Sequence, residues 1–84
     1  MIESKLLKRG WWKVPWECAE SAHDDDYYKK MFGRVRVQVY WDSDYDSWRI
    51  DIAGYKIDFE YTRADSARDA ADAFMKRLLT EGAL

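Results

Sequence analysis

Strict alternation of apolar and polar residues is the feature that most constrains this chain. In "GRVRVQVYW" the three valines and Trp41 share one side of an extended chain, and polar or charged residues share the other. Successive side chains of a strand point to opposite faces of a sheet, so this pattern predicts a strand with one buried face. The segment "WRIDIAGYKIDFEY" alternates in the same way on both sides of Ala53-Gly54, which predicts a hairpin with a two-residue turn.

The hydrophobic pattern also predicts the register of these strands, because a one-residue slip would turn the apolar side chains into water. Closure at Ala53-Gly54 predicts the pairs Asp51–Lys56, Ile50–Ile57, Arg49–Asp58 and Trp48–Phe59. The preceding hairpin predicts the pairs Trp41–Trp48, Val39–Ile50 and Val37–Ile52, with residues 42–47 as a polar loop.

The last third of the chain has the periodicity of an amphipathic helix. Its apolar stripe consists of Ala67, Ala70, Ala71, Phe74, Met75 and Leu78. Ser66 and Asp69 read as a capping box, with Thr62 and Asp65 as an alternative start, and Gly82 as the stop. The predicted fold is therefore α+β: a three-stranded antiparallel β-meander over residues 33–61, with one C-terminal helix over residues 65–81 packed on its apolar face.

The first 32 residues are less regular in sequence, and we predict an irregular, Trp-rich segment. "WKVPW" could add a fourth strand, with Pro15 at an edge or a strand start. Pro15 could equally open a short helix. In either case we expect Trp11, Trp12 and Trp16 to cover the open side or end of the sheet. The 84 residues are expected to form a single domain.

Composition narrows the class of protein. A net charge of −2 with 36% charged residues gives no overall field that would attract nucleic acid or an anionic membrane. The single cysteine, Cys18, cannot form a disulfide within the chain, and the first residues lack the apolar core of a signal peptide. We expect a cytoplasmic protein without a cofactor.

Candidate metal and catalytic groups are incomplete. Asp42, Asp44 and Asp46 alternate as in the start of an EF-hand loop, but Ser47 stands where that loop needs glycine and Ala53 where it needs glutamate. His23 and the aspartates after it have no second ligand cluster at a diagnostic spacing. Cys18 and His23 could form a thiolate and base pair, but no recognisable motif supplies an orienting third group or an oxyanion site. The sequence therefore predicts no metal site and no enzyme.

Two stretches that set aspartates beside tyrosines, "HDDDYYKK" and "WDSDYDSW", are the candidate partner-binding residues. Carboxylates of this kind bind Arg and Lys on a partner, and tyrosines supply rigid contact area. The candidate residues are Asp24, Asp25, Asp26, Tyr27, Tyr28, Asp42, Asp44, Tyr45 and Asp46, joined by the sheet-face acids Asp51, Asp58 and Glu60.

An alternative site uses the cations of the sheet face that the helix would leave open. Its residues are Arg34, Arg36, Tyr40, Arg49 and Lys56, which could contact DNA. Interleaved carboxylates reduce the gain from counterion release, which argues against direct binding of nucleic acid.

Two resemblances add to this interpretation. The order of "RVRV", "WRIDI", "YKIDF" and "ARDAADAF" resembles the DNA-binding domains of the plant ethylene-response-factor and phage-integrase type. That resemblance implies three strands and a helix, with DNA read by the sheet.

As a short acidic chain with a Trp- and Tyr-rich sheet and an Ala-rich helix, the protein is also similar to bacteriophage accessory proteins, including anti-CRISPR proteins. This second resemblance implies an inhibitor that binds a host nuclease complex through acidic side chains.

Overall fold

A computed structural model describes residues 4–15 and 26–82 of the chain. The strands in these residues are β1 (Lys5–Leu6), β2 (Trp12–Pro15), β3 (Asp26–Phe32), β4 (Val35–Asp42), β5 (Ser47–Ile52) and β6 (Tyr55–Lys56). A short 3-10 turn (Lys8–Gly10) follows β1, and one helix, α1 (Ala64–Thr80), follows β6. All the strands pair antiparallel in sequence order within one sheet. No helix of the described residues has the length and apolarity needed to cross a membrane.

The α+β class and the antiparallel meander are confirmed, but the meander has six strands and begins well before residue 33. The alternative of an additional strand at "WKVPW" is confirmed for residues 12–15, whereas the prediction of an irregular segment is wrong for residues 26–32. Strand β3 was not predicted, because a charged residue, Lys30, lies between Tyr28 and Phe32 on the face that packs against α1. Pro15 is the last residue of β2 and lies past the Lys5–Lys13 pair of β1 and β2. Its missing N–H therefore removes no hydrogen bond between these two strands.

The core lies between α1 and one face of β3, β4 and β5. Its buried side chains are Trp11, Tyr28, Val37, Val39, Trp48, Ile50, Ile52, Ala67, Ala71 and Met75. The small side chains of Ala67 and Ala71 let the helix backbone approach the sheet, and both are fully buried. Trp41 and Trp48 meet edge to face at a centroid distance of 5.8 Å, a favoured geometry for aromatic pairs.

The predicted β4–β5 register is confirmed at all three pairs. In the next hairpin Asp51 pairs with Lys56 as predicted, and the Ile57 N–H donates to the Ile50 carbonyl at 2.8 Å. The ladder then breaks, because Trp48 bridges to Tyr61 and not to Phe59. The predicted Trp48–Phe59 and Arg49–Asp58 pairs are therefore wrong.

The break in this ladder has a local cause. The Arg49 guanidinium donates to the Ile57 carbonyl at 3.3 Å, so a side chain takes an acceptor that faces the sheet. The chain bends at Asp58 and gains two residues before it returns to β5 at Tyr61. Phe59 consequently stands 66% exposed.

Helix α1 agrees with its predicted bounds to within one residue at each end. The predicted capping box is wrong, because the N-cap is Arg63, without a side-chain capping bond, and Ser66 lies inside the helix. The predicted stop is confirmed: Gly82 has a φ of 68° and its N–H donates to the Leu79 carbonyl at 3.3 Å.

One carboxylate of α1 connects the helix to the N-terminal strands. Asp72 accepts a hydrogen bond from the indole N–H of Trp11 at 3.0 Å and from the ammonium of Lys30 at 2.7 Å. Its side chain is only 17% exposed, and the Arg9 guanidinium lies 3.5 Å from it. The neighbouring Asp69 pairs with Arg9 at the surface and is 61% exposed. The two acids therefore differ mainly in burial and in the number of donors they satisfy.

We expect Asp72→Ala to lower the free energy of unfolding by about 2–3 kcal/mol, because it leaves a buried indole N–H and a half-buried ammonium without their acceptor. Asp69→Ala is the matched control, with the same change of side chain on the same helix, and we expect it to cost less than about 1 kcal/mol. Urea unfolding followed by tryptophan fluorescence measures both. Equal losses would show that Asp72 is an ordinary surface charge.

The backbone conformation of the β5–β6 turn gives a second prediction about the stability of the fold. Ala53 and Gly54 have φ values of 53° and 90°, as a type I′ turn requires. The Gly54 N–H donates to the Asp51 carboxylate at 2.8 Å. A left-handed conformation strains an alanine, whereas asparagine tolerates it. We expect Ala53→Asn to raise the free energy of unfolding by up to about 1 kcal/mol and Ala53→Val to lower it. An Ala53→Asn protein no more stable than wild type would contradict the strained turn.

Candidate partner-binding surface

Antiparallel pairing places Asp26, the first described residue of one aspartate and tyrosine stretch, at the same end of the sheet as the other stretch. Strand β3 begins at Asp26, and its neighbour β4 runs in the opposite direction and ends at Asp42. The β4–β5 loop follows directly, and Glu60 reaches the same end through a hydrogen bond from Ser47 at 3.3 Å. We call this surface the acidic end; it consists of Asp42, Asp44, Tyr45, Asp46 and Glu60. The backbone of Asp26 lies at the same end of the sheet.

The β4–β5 loop has a defined conformation at the acidic end. The carboxylate of Asp42 accepts the Asp44 N–H at 3.0 Å, and the Asp42 carbonyl accepts the Tyr45 N–H at 3.2 Å. Asp46 has a φ of 50°, which aspartate tolerates better than most residues. Asp42 is thus a structural residue of the turn, whereas Asp44 and Asp46 project into solvent.

The β4–β5 loop packs against a buried cation, the guanidinium of Arg49. Arg49 is only 6% exposed, and its guanidinium carbon lies 4.4 Å from the centre of the Tyr45 ring. This cation–π contact holds one face of the ring and leaves the residue 58% exposed. Tyr45 is therefore a fixed aromatic surface between two exposed carboxylates.

Two cations of the described residues, Arg49 and Arg63, are already engaged by other side chains. Arg49 is buried under Tyr45, and Arg63 pairs with Asp65 at 2.9 Å. Asp44, Asp46 and Glu60 are exposed. A basic partner would therefore meet carboxylates that are accessible and unneutralised by these two cations.

The other predicted partner-binding residues divide into four groups. Tyr28 is buried between Trp48 and Arg68 on the helix face, so its assignment to an exposed surface is wrong. Asp51 binds the β5–β6 turn, and Asp58 is exposed at the β6 edge, both away from the acidic end. Tyr27 is half-buried on the face opposite α1. Asp24, Asp25, Cys18 and His23 lie outside the described residues, as does Trp16.

The alternative DNA-binding set also changes. Arg34, Arg36 and Lys56 are exposed, but Arg49 is buried and committed to Ile57 and Tyr45. Its prediction as an exposed cation is therefore wrong. Registers place Lys29 on the same face as Gln38 and Asp51, which adds one cation that the sequence analysis did not assign.

Tyr40 is half-buried beside Arg49, and its hydroxyl has no hydrogen-bond partner within the described residues. Burial raises the pKa of this phenol above its usual value of 10.0, and the charge of Asp42 adds to the effect. Because its hydroxyl is buried, Tyr40 is poorly placed to donate a hydrogen bond to a phosphate.

On the face opposite α1, strands β1, β2 and β3 expose apolar side chains to which the sequence assigned no role. Leu6 pairs across strands with Trp12, and both are exposed, as is Met31. Trp11, by contrast, is fully buried against α1, so Trp11 and Trp12 do not cover the same side of the sheet. Alternation along β2 could have separated them, because adjacent residues of an extended segment point to opposite faces.

Groups of three or more His, Cys, Asp or Glu side chains placed to hold a metal ion do not occur among residues 4–15 and 26–82. No protein-family model, curated protein or solved structure matches the chain. A functional proposal therefore rests on the geometry of the surface and on the resemblance of the sequence to phage accessory proteins.

The raised pKa of Tyr40 gives a pH dependence with a definite sign. The unfolded chain releases this proton at lower pH than the folded chain, so the contribution of Tyr40 is intact below pH 10 and is lost as the pH rises beyond it. We expect Tyr40→Phe to reduce the alkaline loss of stability and to stabilise the protein slightly at neutral pH, since it removes an unpaired hydroxyl.

Tyr55→Phe is the control, because Tyr55 is 77% exposed. Urea unfolding at neutral pH and above pH 10 distinguishes the variants. Equal alkaline losses in wild type and Tyr40→Phe would contradict the proposed burial of the phenol.

Proposed function

We propose that this protein is a non-enzymatic phage or mobile-element protein that acts by binding another protein, as an inhibitor of the anti-CRISPR type. The acidic end would occupy a basic surface of a host nuclease complex, a surface that otherwise contacts nucleic acid. Such an inhibitor would act in the cytoplasm of the host cell. The observation that carries the proposal is the fixed β4–β5 loop, with exposed Asp44 and Asp46 on either side of Tyr45.

Electrostatics and rigidity both support this use of the loop. Carboxylates compete with phosphates for Arg and Lys because both accept charge-assisted hydrogen bonds from these groups. A loop already ordered by Asp42 and Arg49 pays less conformational entropy on binding than a flexible one. The exposed ring of Tyr45 adds contact area of the kind enriched at interface hot spots.

Direct DNA binding by the open sheet face is less well supported. Of the five residues assigned to it, Arg49 is buried and the hydroxyl of Tyr40 is desolvated. The exposed Arg34, Arg36 and Lys56 remain, with Asp51 paired directly to Lys56. A gel-shift titration on bare duplex DNA tests this alternative, and salt-sensitive binding at low protein concentration would favour it.

The proposed inhibition can be tested with purified, guide-loaded CRISPR effector complexes of several types and their target DNA. We expect the wild-type protein to abolish target binding by at least one complex. The variant D44K/D46K should lose that inhibition by about 100-fold or more, because it reverses both exposed charges and keeps the structural Asp42.

A matched control is D69K/E81K, which makes the same change in net charge on exposed carboxylates of α1 and its end. Thermal unfolding confirms that both double variants fold. Inhibition equally weakened in both would point to net charge and overturn the assignment to the loop. Absence of inhibition across the tested complexes would contradict the anti-CRISPR activity itself.

A further inference from the structure

Among the strands of residues 4–15 and 26–82, β6 lies at one edge of the sheet, and this edge exposes aromatic and charged side chains. Tyr55 and Phe59 are 77% and 66% exposed, and Lys56 and Asp58 are exposed between them. Phe59 borders a shallow apolar groove of about 70 Å³ that continues to Phe74 on α1. A sheet edge with exposed aromatic residues is a surface on which another strand can pair.

Backbone directions along this edge are set by the pairing with β5. The N–H of Ile57 points inward, since it donates to Ile50. Main-chain groups alternate in direction along an antiparallel strand, so those of Lys56, in β6, point outward, and an extended continuation through Ile57 directs those of Asp58 the same way. Asp58 is the last residue whose main-chain groups can form hydrogen bonds at this edge, because the chain bends there, and Phe59 contributes its side chain alone.

The sequence from Tyr55 to Phe59, "YKIDF", complements itself when it is paired antiparallel about Ile57. Lys56 of one copy then lies opposite Asp58 of the other, twice, on the face opposite α1. Tyr55 lies opposite Phe59, also twice, on the face of α1. This register pairs Lys56 with Asp58, the two residues whose main-chain groups point outward. The direction of the hydrogen bonds and the pairing of the charges therefore favour the same alignment.

Other occupants fit this edge less well. Lys56 discourages pairing with an arbitrary strand, because an unmatched charge at an edge opposes association. The edge strand on the other side of the sheet, β1, lies in a segment with Lys5, Lys8 and Arg9 and no carboxylate between residues 4 and 10. Two copies of β1 would repel each other, whereas two copies of β6 place Lys56 against Asp58 twice in one two-fold symmetric pairing.

We propose that the protein forms a two-fold symmetric dimer in which two β6 edges pair about Ile57 and join the two sheets into one continuous sheet. Both helices then lie on the same side, with the exposed rings of Tyr55 and Phe59 packed between them. Such an interface is isologous and closed, so assembly stops at two copies.

Charge reversal tests this register directly. K56E makes both partners of each contact acidic, and D58K makes both basic. We expect each single variant to weaken the dimer by about tenfold or more in sedimentation equilibrium. The double variant K56E/D58K restores complementarity and should dimerise like the wild type. An equimolar mixture of K56E and D58K should form a heterodimer, although neither variant pairs well with itself.

A second variant covers the case in which K56E disturbs the chain, since Asp51 lies opposite Lys56 within one copy. Phe59→Ser changes no charge and removes an exposed ring, so the fold is kept while the dimer weakens. Circular dichroism verifies folding of each variant. A wild-type protein that sediments as a monomer at all concentrations would overturn the proposal, and so would a dimer that is unaffected by both single charge reversals and by Phe59→Ser.

Discussion

The carboxylate of Asp72 is the contact on which the arrangement of the molecule depends. It lies on α1, yet it accepts hydrogen bonds from Trp11, just before β2, and from Lys30 on β3. Ala67, Ala71 and Met75 pack the helix against the core of the sheet, where all three are buried. The Asp72 contacts extend that attachment to the N-terminal strands, and they make a lysine acceptable at a position that faces the core.

The six-stranded meander in turn decides where the acidic residues lie. Because β3 and β4 are antiparallel neighbours, the start of one and the end of the other share an end of the sheet. Arg49 and Asp42 then fix the loop between β4 and β5, one through the ring of Tyr45 and the other through a backbone N–H. Charges that look scattered in sequence thus form one surface, and the functional proposal rests on that surface.

The sequence predicted the parts of the fold that follow a simple period. Alternating valines and isoleucines predicted the β4–β5 register, and the alanine stripe predicted α1. Strand β3 was not predictable in this way, because Lys30 breaks its alternation and its partner Asp72 lies 42 residues away. The bend at Asp58 was missed for a related reason, since it depends on where the side chain of Arg49 finds an acceptor. For the candidate site, the β4–β5 loop was predicted from the register of its flanking strands, but the buried states of Tyr28 and Arg49 depend on tertiary contacts.

The central structural claim is that Trp11 is bound to α1 through its indole N–H, and hydrogen exchange of that proton tests it most directly. Trp12 provides an internal comparison, because its ring is exposed on the other face of the sheet. The account predicts that the Trp11 indole proton exchanges only when the whole protein unfolds, as slowly as the amides of β4 and β5. Exchange of the Trp11 proton as fast as that of Trp12 would contradict it.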